Sequence, residues 1–181
     1  MKEKYATTFG GSGYEPDTQQ YQDGIRLGWF LAEEGYTVKC GGYYGLMEAV
    51  AQGVREAGGH ILGVTNGSFD PKSANNFVSE ERKQKDLFDR LRQLIQGEQE
   101  SELFVAQEGS LGTMTEVFAT WCLAYTQSLS KPVRLCLIGK SWSEVVASLQ
   151  SLPITQKDYE LVEMYGKMDE FFEQFHSKEV N

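Results

Sequence analysis

Histidine, cysteine and proline are scarce in this chain of 181 residues, which contains 2 histidines, 3 cysteines and 4 prolines. His60 and His176 lie far apart, and Cys40, Cys122 and Cys136 match no zinc-binding spacing. We therefore expect no metal site, and we interpret the cysteines as free thiols that pack like small apolar residues.

Positive charge and long apolar runs are also in short supply. Lysine and arginine number 17 against 26 acidic residues, which gives a formal net charge of -9 and argues against a nucleic-acid partner. No apolar run approaches the roughly 20 residues that span a bilayer, so we expect no membrane partner. The segment from Met1 to Tyr5 lacks the apolar core of a signal peptide, so we expect a cytoplasmic location.

Short apolar runs alternate with longer amphipathic segments along the whole chain, which favours one domain over residues 1–181. The predicted strands are Tyr5–Phe9, Tyr36–Cys40, His60–Thr65, Leu103–Ala106, Arg134–Ile138 and, at the end, Tyr159–Met164. The predicted helices are Thr18–Glu34, Leu46–Val54, Glu80–Gln96, Gly112–Leu123, Trp142–Leu149 and Asp169–Phe175.

Strand–helix alternation with continuous apolar strands predicts a single Rossmann-like α/β fold, a doubly wound and mainly parallel sheet with helices on both faces. Ligands in such sheets bind beyond the carboxyl ends of the strands. Three predicted strands end in glycine-containing loops, at Gly10, at Gly41 and before Gly109. These loops are expected to meet at one edge of the sheet.

The segment from Gly109 to Glu116 follows a predicted strand and opens a predicted helix. The free N–H groups of Gly112 and Thr113 at a helix N-terminus would suit a phosphate. Glu116, one turn further on, would supply a carboxylate as a general base. The alternative is a tight strand-to-helix turn in which Thr113 and Glu116 act only as capping residues.

Four segments, in order along nearly the whole chain, resemble the signatures of the Lonely Guy family. Gly109 to Glu116 is similar to P-G-G-x-G-T-x-x-E, with Glu108 in place of the proline and Ser110 in place of the second glycine. The other three resemblances are Phe9–Gly13 to F-C-G-S-S, Cys40–Met47 to G-G-G-x-x-G-L-M, and Ser79–Lys83 to M-H-E-R-K.

The resemblance implies a cytokinin riboside 5′-monophosphate phosphoribohydrolase, which cleaves a nucleoside 5′-monophosphate into a free base and ribose 5-phosphate without a cofactor. Arg82 would hold the ribose or the phosphate, and Glu116 would position water or stabilise an oxocarbenium-like transition state. The substrate contacts it implies are Gly11, Ser12, Gly41, Gly42, Gly45, Met47, Lys83, Gly109, Ser110, Leu111, Gly112 and Thr113. A homodimer is expected, because the family forms homodimers.

Two other functions are also considered for this sequence. Glu108 and Ser110 alter the signature loop, and Glu108 would repel a phosphate, which favours a non-catalytic carrier or sensor of a nucleotide or of a cofactor such as the molybdenum cofactor. Lysine decarboxylation, an old label of the family, is disfavoured because no lysine has a recognisable cofactor-attachment context. The aromatic side chains of Phe118, Trp121 and Tyr125 are interpreted as core or dimer interface.

Overall fold

The computed structural model of the chain describes residues 3–69 and 73–178, and places the strands in one parallel sheet. The strands are β1 (Lys4–Phe9), β2 (Tyr36–Cys40), β3 (Ile61–Asn66), β4 (Glu80–Gln84), β5 (Leu103–Ala106), β6 (Arg134–Ile138) and β7 (Val162–Tyr165). Their order across the sheet is β4-β3-β2-β1-β5-β6-β7, with every neighbouring pair parallel. The predicted α/β fold class is confirmed.

The helices are α1 (Gln19–Glu33), α2 (Leu46–Glu56), α3 (Leu87–Ile95), α4 (Leu111–Tyr125), α5 (Lys140–Ser148), α6 (Gln156–Tyr159) and α7 (Met168–Gln174). Short 3-10 turns cover Gly67–Phe69, Leu149–Ser151 and His176–Lys178. Across the described ranges, no helix has the length and apolar character needed to cross a membrane.

Two hydrophobic cores lie on opposite faces of the sheet, because successive residues of a strand point to opposite sides. On one face, Leu103 and Val105 of β5 join the apolar sides of α1, α2 and α7. On the other face, Phe104 and Ala106 join the apolar sides of α3, α4 and α5. This double burial explains why the inner strands are mostly apolar.

The predicted helix from Glu80 to Gln96 is wrong in its first part. Residues Glu80–Gln84 form the edge strand β4, which pairs in parallel with β3, and α3 begins only at Leu87. Asp86 is the N-cap, since its side chain accepts a hydrogen bond from Asp89 N at 2.9 Å. A strand at the edge of a sheet buries few side chains, so its residues can be charged. The segment Glu80–Gln84 consists of good helix formers, but backbone pairing with β3 makes it a strand.

A crevice opens at the carboxyl edge of the sheet, where the chain turns to opposite faces from the adjacent strands β1 and β5. The loop after β1 leads to α1 on one face, and the loop after β5 leads to α4 on the other. Gly11 N donates to Glu108 O at 3.0 Å, and Leu46 N donates to Gly11 O at 2.9 Å, so the three glycine loops are bonded together. Their predicted convergence on one edge is confirmed, at the position where such sheets bind ligands.

Candidate functional site

A cleft of about 280 Å³ lies at this switch point, between the first glycine loop, the start of α2, and helices α3 and α4. Its lining combines backbone from glycine loops with two aromatic rings and one buried ion pair. The lining residues are Gly10, Gly11, Ser12, Tyr43, Tyr44, Met47, Arg90, Ser110, Gly112, Thr113 and Glu116. We call it the Glu116 cleft.

The N-terminus of α4 opens into the Glu116 cleft. Ser110 is the N-cap, and its side chain makes no capping hydrogen bond. The first backbone N–H groups of a helix have no partner within the helix, so those of Gly112 and Thr113 are available to an anion. An added Cβ at Gly112 would meet no atom within 4 Å, which shows open space beside this turn. The predicted phosphate position thus lies at a helix N-terminus that opens into this cleft.

A buried ion pair forms the floor of the cleft. Arg90 Nη1 donates to Glu116 Oε1 at 3.3 Å, and both side chains are only 9% exposed. The same guanidinium donates through Nε to Val64 O at 2.8 Å and through Nη2 to Gly41 O at 3.3 Å. Arg90 is therefore held by three elements, and its planar fork is fixed before any ligand arrives.

Gly41 is required by this arrangement. A Cβ at Gly41 would lie 2.2 Å from Arg90 Nη2 and 2.5 Å from the sulfur of Met47. No side chain fits in that space, so the guanidinium and Met47 pack directly against bare backbone. The role of Gly41 is therefore to admit Arg90 rather than to contact a ligand with its own atoms.

The Arg90 guanidinium also lies 5.8 Å from the centre of the Tyr43 ring. Tyr43 is buried, and its hydroxyl accepts a hydrogen bond from Asn66 N at 2.8 Å. Tyr43 is thus fixed as packing around Arg90. Tyr44 is different, because 48% of it is exposed at the cleft, where its ring is accessible to a ligand.

Glu116 is the titratable group at the centre of the cleft. Burial raises the pKa of Glu116 to about 7, and the Arg90 guanidinium beside it acts in the opposite direction. A carboxylate that titrates near neutral pH is suited to general acid–base chemistry. The capping role considered for Glu116 is not what the structure shows, since its carboxylate contacts Arg90.

Many of the residues implied by the resemblance lie together at or directly behind this cleft. Gly11, Ser12, Met47, Ser110, Gly112, Thr113 and Glu116 line it. Four glycines lie directly behind the lining: Gly41, Gly42, Gly45 and Gly109. Gly42 O accepts a hydrogen bond from Asn75. A Cβ at Gly45 would lie 2.6 Å from Gly11 O, and a Cβ at Gly109 would lie 2.1 Å from Thr113 Oγ1, so both glycines are closely packed. Leu111 is 80% exposed at the rim, and its backbone belongs to the first turn of α4.

Arg82 and Lys83 are not brought into the Glu116 cleft. Both lie on the edge strand β4, where Arg82 Nε donates to Glu80 Oε1 at 2.8 Å and Arg82 Nη1 donates to Gln99 Oε1 at 2.6 Å. Arg82 stays outside the cleft because its position on β4 directs its side chain toward Glu80 and Gln99 and away from the floor of the cleft.

Arg90 is the charged residue of the Glu116 cleft that the sequence did not predict. The signal was its position, since Arg90 falls four residues before Leu94, within the apolar stripe of α3. A cation on the inward face of a helix must find a buried partner. Placed on Leu87 to Leu91, the M-H-E-R-K signature keeps an acidic residue at its third position and the arginine at its fourth, in Asp89 and Arg90.

Glu108 turns away from the Glu116 cleft. Its Oε1 accepts a hydrogen bond from Ser141 Oγ at 3.0 Å, at the start of α5. The expected repulsion between Glu108 and a phosphate at α4 therefore has no structural basis. Ser110, the other departure from the signature, does line the Glu116 cleft.

The fold and the site together define a Rossmann-like α/β protein with a ligand cleft at the switch point of its sheet. The chain belongs to the SLOG cluster4 family, whose model matches residues 4–152. This membership fits the family resemblance seen in the sequence signatures.

Two curated relatives come from Oryza sativa subsp. japonica. The chain is 30% identical over 125 residues to the probable cytokinin riboside 5′-monophosphate phosphoribohydrolase LOGL5, covering 68% of this chain and 50% of the relative. It is 34% identical over 120 residues to the similarly named LOGL9, covering 65% of this chain and 52% of the relative. The chain thus spans about half the length of these relatives.

The fold is also similar to that of the molybdenum cofactor binding protein from Rippkaea orientalis. The two share 23% identity with a TM-score of 0.71, and the similarity covers 98% of both chains. This likeness extends over the whole chain and concerns the fold.

Proposed function

We propose that this protein is a nucleoside 5′-monophosphate phosphoribohydrolase that works in the Glu116 cleft. The observation that supports it most is the buried Arg90–Glu116 pair beside the uncapped N-terminus of α4. The names of the two rice relatives support the same reaction. One cleft thus combines an anion site with a carboxylate whose pKa lies near neutrality.

The 5′-phosphate would bind at the N–H groups of Gly112 and Thr113, where the helix dipole favours negative charge. Glu116 follows one turn later, about 5 Å further along the helix axis. The ribose of a nucleotide bound there would therefore lie over Glu116 and Arg90. Arg90 keeps donor capacity for a sugar hydroxyl, and Tyr44 at the rim would stack on the base.

The reaction breaks the bond between the base nitrogen and C1′ of the ribose. As that bond lengthens, positive charge develops at C1′, and the Glu116 carboxylate stabilises it. One water attacks C1′ and gives its proton to Glu116, which passes a proton to the departing base. The atoms balance as one nucleotide and one water giving one base and one ribose 5-phosphate.

The assay incubates the purified protein with AMP, GMP, CMP, UMP and cytokinin riboside monophosphates, and separates free base from nucleotide by chromatography. We expect release of base and ribose 5-phosphate from at least one of them in equal amounts. Glu116→Gln should remove the activity while retaining nucleotide binding. If no member of the panel gives free base, the protein is not this hydrolase.

A nucleotide carrier or sensor is the second candidate. The feature that favours it is Ser110, which replaces a signature glycine in the lining of the cleft. Saturable nucleotide binding without turnover, seen for both the parent protein and Glu116→Gln, would support the carrier and exclude the hydrolase. The same binding experiment therefore separates the two functions.

We infer further that the protein acts as a homodimer through the outer face of α4. This helix is apolar on its exposed side, where Leu111 is 80% exposed and Tyr125 is 58% exposed. Between them, Phe118 and Cys122 line a groove of about 330 Å³ together with Pro153 and Ile154. Trp121 also lines this groove, but it belongs to the core, since it is buried and its Nε1 donates to Asp158 O at 2.8 Å.

A cytoplasmic location is part of the same proposal. All three cysteines are free, and Cys122 is exposed. An exposed free thiol is typical of proteins in a reducing compartment.

A further inference from the structure

A second cleft lies at the carboxyl ends of β5, β6 and β7, across the loops from the Glu116 cleft. Its volume is about 240 Å³, and three glutamines, Gln19, Gln20 and Gln107, contribute to its lining. We call it the glutamine cleft. Gly11 lines the first cleft and Glu108 lines the second, and the hydrogen bond from Gly11 N to Glu108 O joins the two walls.

Gln107 is the unusual member of this lining. It is only 5% exposed, and its Nε2 has no hydrogen-bond partner among the residues that the structure describes. Its carboxamide lies between two glycines, since a Cβ at Gly10 would be 3.4 Å from Nε2 and one at Gly24 would be 3.4 Å from Oε1. Neither neighbour has a side chain to bond the amide. A buried donor without a partner is costly, so this one indicates a ligand acceptor.

The backbone of Gln107 is fixed by two hydrogen bonds. Gln107 N donates to Phe9 O at 2.9 Å, and Gln107 O accepts from the indole Nε1 of Trp142 at 3.1 Å. Gln107 is therefore anchored at its backbone by β1 and α5, beside the glutamine cleft that it lines. Such preorganisation reduces the entropy lost when a ligand binds.

The charges around the glutamine cleft cancel. Asp23 and Glu108 line it, and so do Lys140 and Lys167. Asp23 accepts from Arg26 at 2.9 Å, and Glu108 accepts from Ser141, so both carboxylates already have partners. This balance does not favour a phosphate dianion, unlike the N-terminus of α4. It favours a neutral molecule with both donors and acceptors.

The remaining walls are apolar, with Leu46, Ile138 and Met168 in the lining. A flat ring would pack on such side chains and present its edges to the glutamines. Carboxamides match the adjacent donor and acceptor of a nucleobase edge in a bidentate pair. The volume lies below the roughly 300–1,000 Å³ of sites for drug-sized ligands, which suits a ligand of this size.

We propose that the glutamine cleft is a second ligand site that binds a neutral nucleobase or its nucleoside through Gln107. The site is distinct from the Glu116 cleft, and it does not depend on the protein being a hydrolase. Ligand binding at Gln107 is therefore tested separately from turnover.

The test is calorimetric titration of adenine and adenosine into the parent protein, into Gln107→Leu, and into Gln52→Leu as the matched control. Gln52 lies on α2, where its Nε2 donates to Glu56 at 2.8 Å on the surface. We expect Gln107→Leu to weaken binding about tenfold or more, because it removes one buried hydrogen bond. Gln52→Leu should bind like the parent. Unliganded Gln107→Leu should melt no lower than the parent, since it removes an unpaired donor.

A second readout covers the case in which Gln107→Leu fails to fold. In the parent protein, the side-chain amide NMR signals of Gln107 should shift on addition of adenine, and those of Gln52 should stay in place. The proposal is overturned if neither adenine nor adenosine binds. It is equally overturned if Gln107→Leu keeps the parent affinity, or if the Gln107 signals do not move while the ligand binds.

Discussion

Glu116 should control how the activity depends on pH. The proposed reaction requires the ionised carboxylate, and burial raises its pKa to about 7. We therefore expect kcat/KM for a nucleoside monophosphate to rise with pH through neutrality and then level off. A pH–rate profile from 5 to 9 checks this, with Glu116→Gln expected to lower kcat by about 100-fold or more. A flat profile would contradict the role given to Glu116.

The same carboxylate should leave a signature in stability. A carboxyl whose pKa is raised in the folded state stabilises the fold when protonated, and this contribution is lost as pH rises from its ordinary value of 4.5 toward 7. Compared with Glu116→Gln, the parent should lose free energy of unfolding between pH 5 and pH 7, by at most about 1.4 kcal/mol per pH unit. Urea unfolding of both proteins at the two pH values measures the difference. An equal change in both proteins would show that Glu116 does not titrate in this range.

The sequence predicted Glu116, Gly112 and Thr113 at the cleft, because the spacing of the glycine segment fixes them on the first turns of one helix. It did not predict Arg90. Arg82 and Arg90 are both arginines near acidic residues in the sequence. They differ in where the tertiary structure places them. Only the parallel pairing of β4 with β3 decides that Arg82 lies on an edge strand and that Arg90 faces the sheet.

At the scale of elements, the first turn of α4 can be tested by one methyl group. Gly112→Ala adds a Cβ in open space, so the fold should tolerate it and gain roughly 0.5–1 kcal/mol from better helix propensity. The same methyl group reduces the space available to a phosphate at the N-terminus of α4. We therefore expect a severalfold higher KM for the nucleotide, together with a higher melting temperature from the better helix propensity. Thermal denaturation and steady-state kinetics measure the two effects. An unchanged KM would place the phosphate elsewhere.

Gly109→Ala is the matched control in the same loop. Its Cβ would lie 2.1 Å from Thr113 Oγ1, so this variant should lose stability, unlike Gly112→Ala. Comparing the two variants distinguishes a glycine that is required for stability, Gly109, from a glycine that is required for ligand binding, Gly112. The sequence marked both as ligand contacts, since a glycine pattern does not show which glycine faces the open space.

The strands that the sequence predicted correctly differ from those that it missed or misplaced in how deeply they are buried. The inner strands β1, β2, β3, β5 and β6 were predicted because both of their faces are buried and most of their residues are apolar. The strand β4 was missed because it lies at the edge and its residues are charged. The last strand was predicted at Tyr159–Met164, and it lies at Val162–Tyr165, because Tyr159 ends the short helix α6.

At the scale of the whole molecule, the apolar outer face of α4 should mediate dimer formation. Tyr125→Asp places a charge on this face at a position that is 58% exposed, so it should not disturb the core. We expect the parent to be a dimer and Tyr125→Asp to be a monomer by size-exclusion chromatography with light scattering. Gln52→Asp, on the surface of α2, should remain a dimer. A monomeric parent protein would refute this interface.

The central claim is that the Glu116 cleft, with Arg90 at its floor, is the hydrolytic site. The most direct measurement is the rate of free-base release by the parent protein, by Arg90→Lys and by Arg82→Lys, with each fold checked by circular dichroism. Lysine keeps the charge and loses the planar fork of donors, so Arg90→Lys should lower kcat/KM on the order of 100-fold. Arg82→Lys, on the edge strand, should retain the parent rate. The reverse pattern, with Arg82→Lys inactive and Arg90→Lys active, would contradict the account.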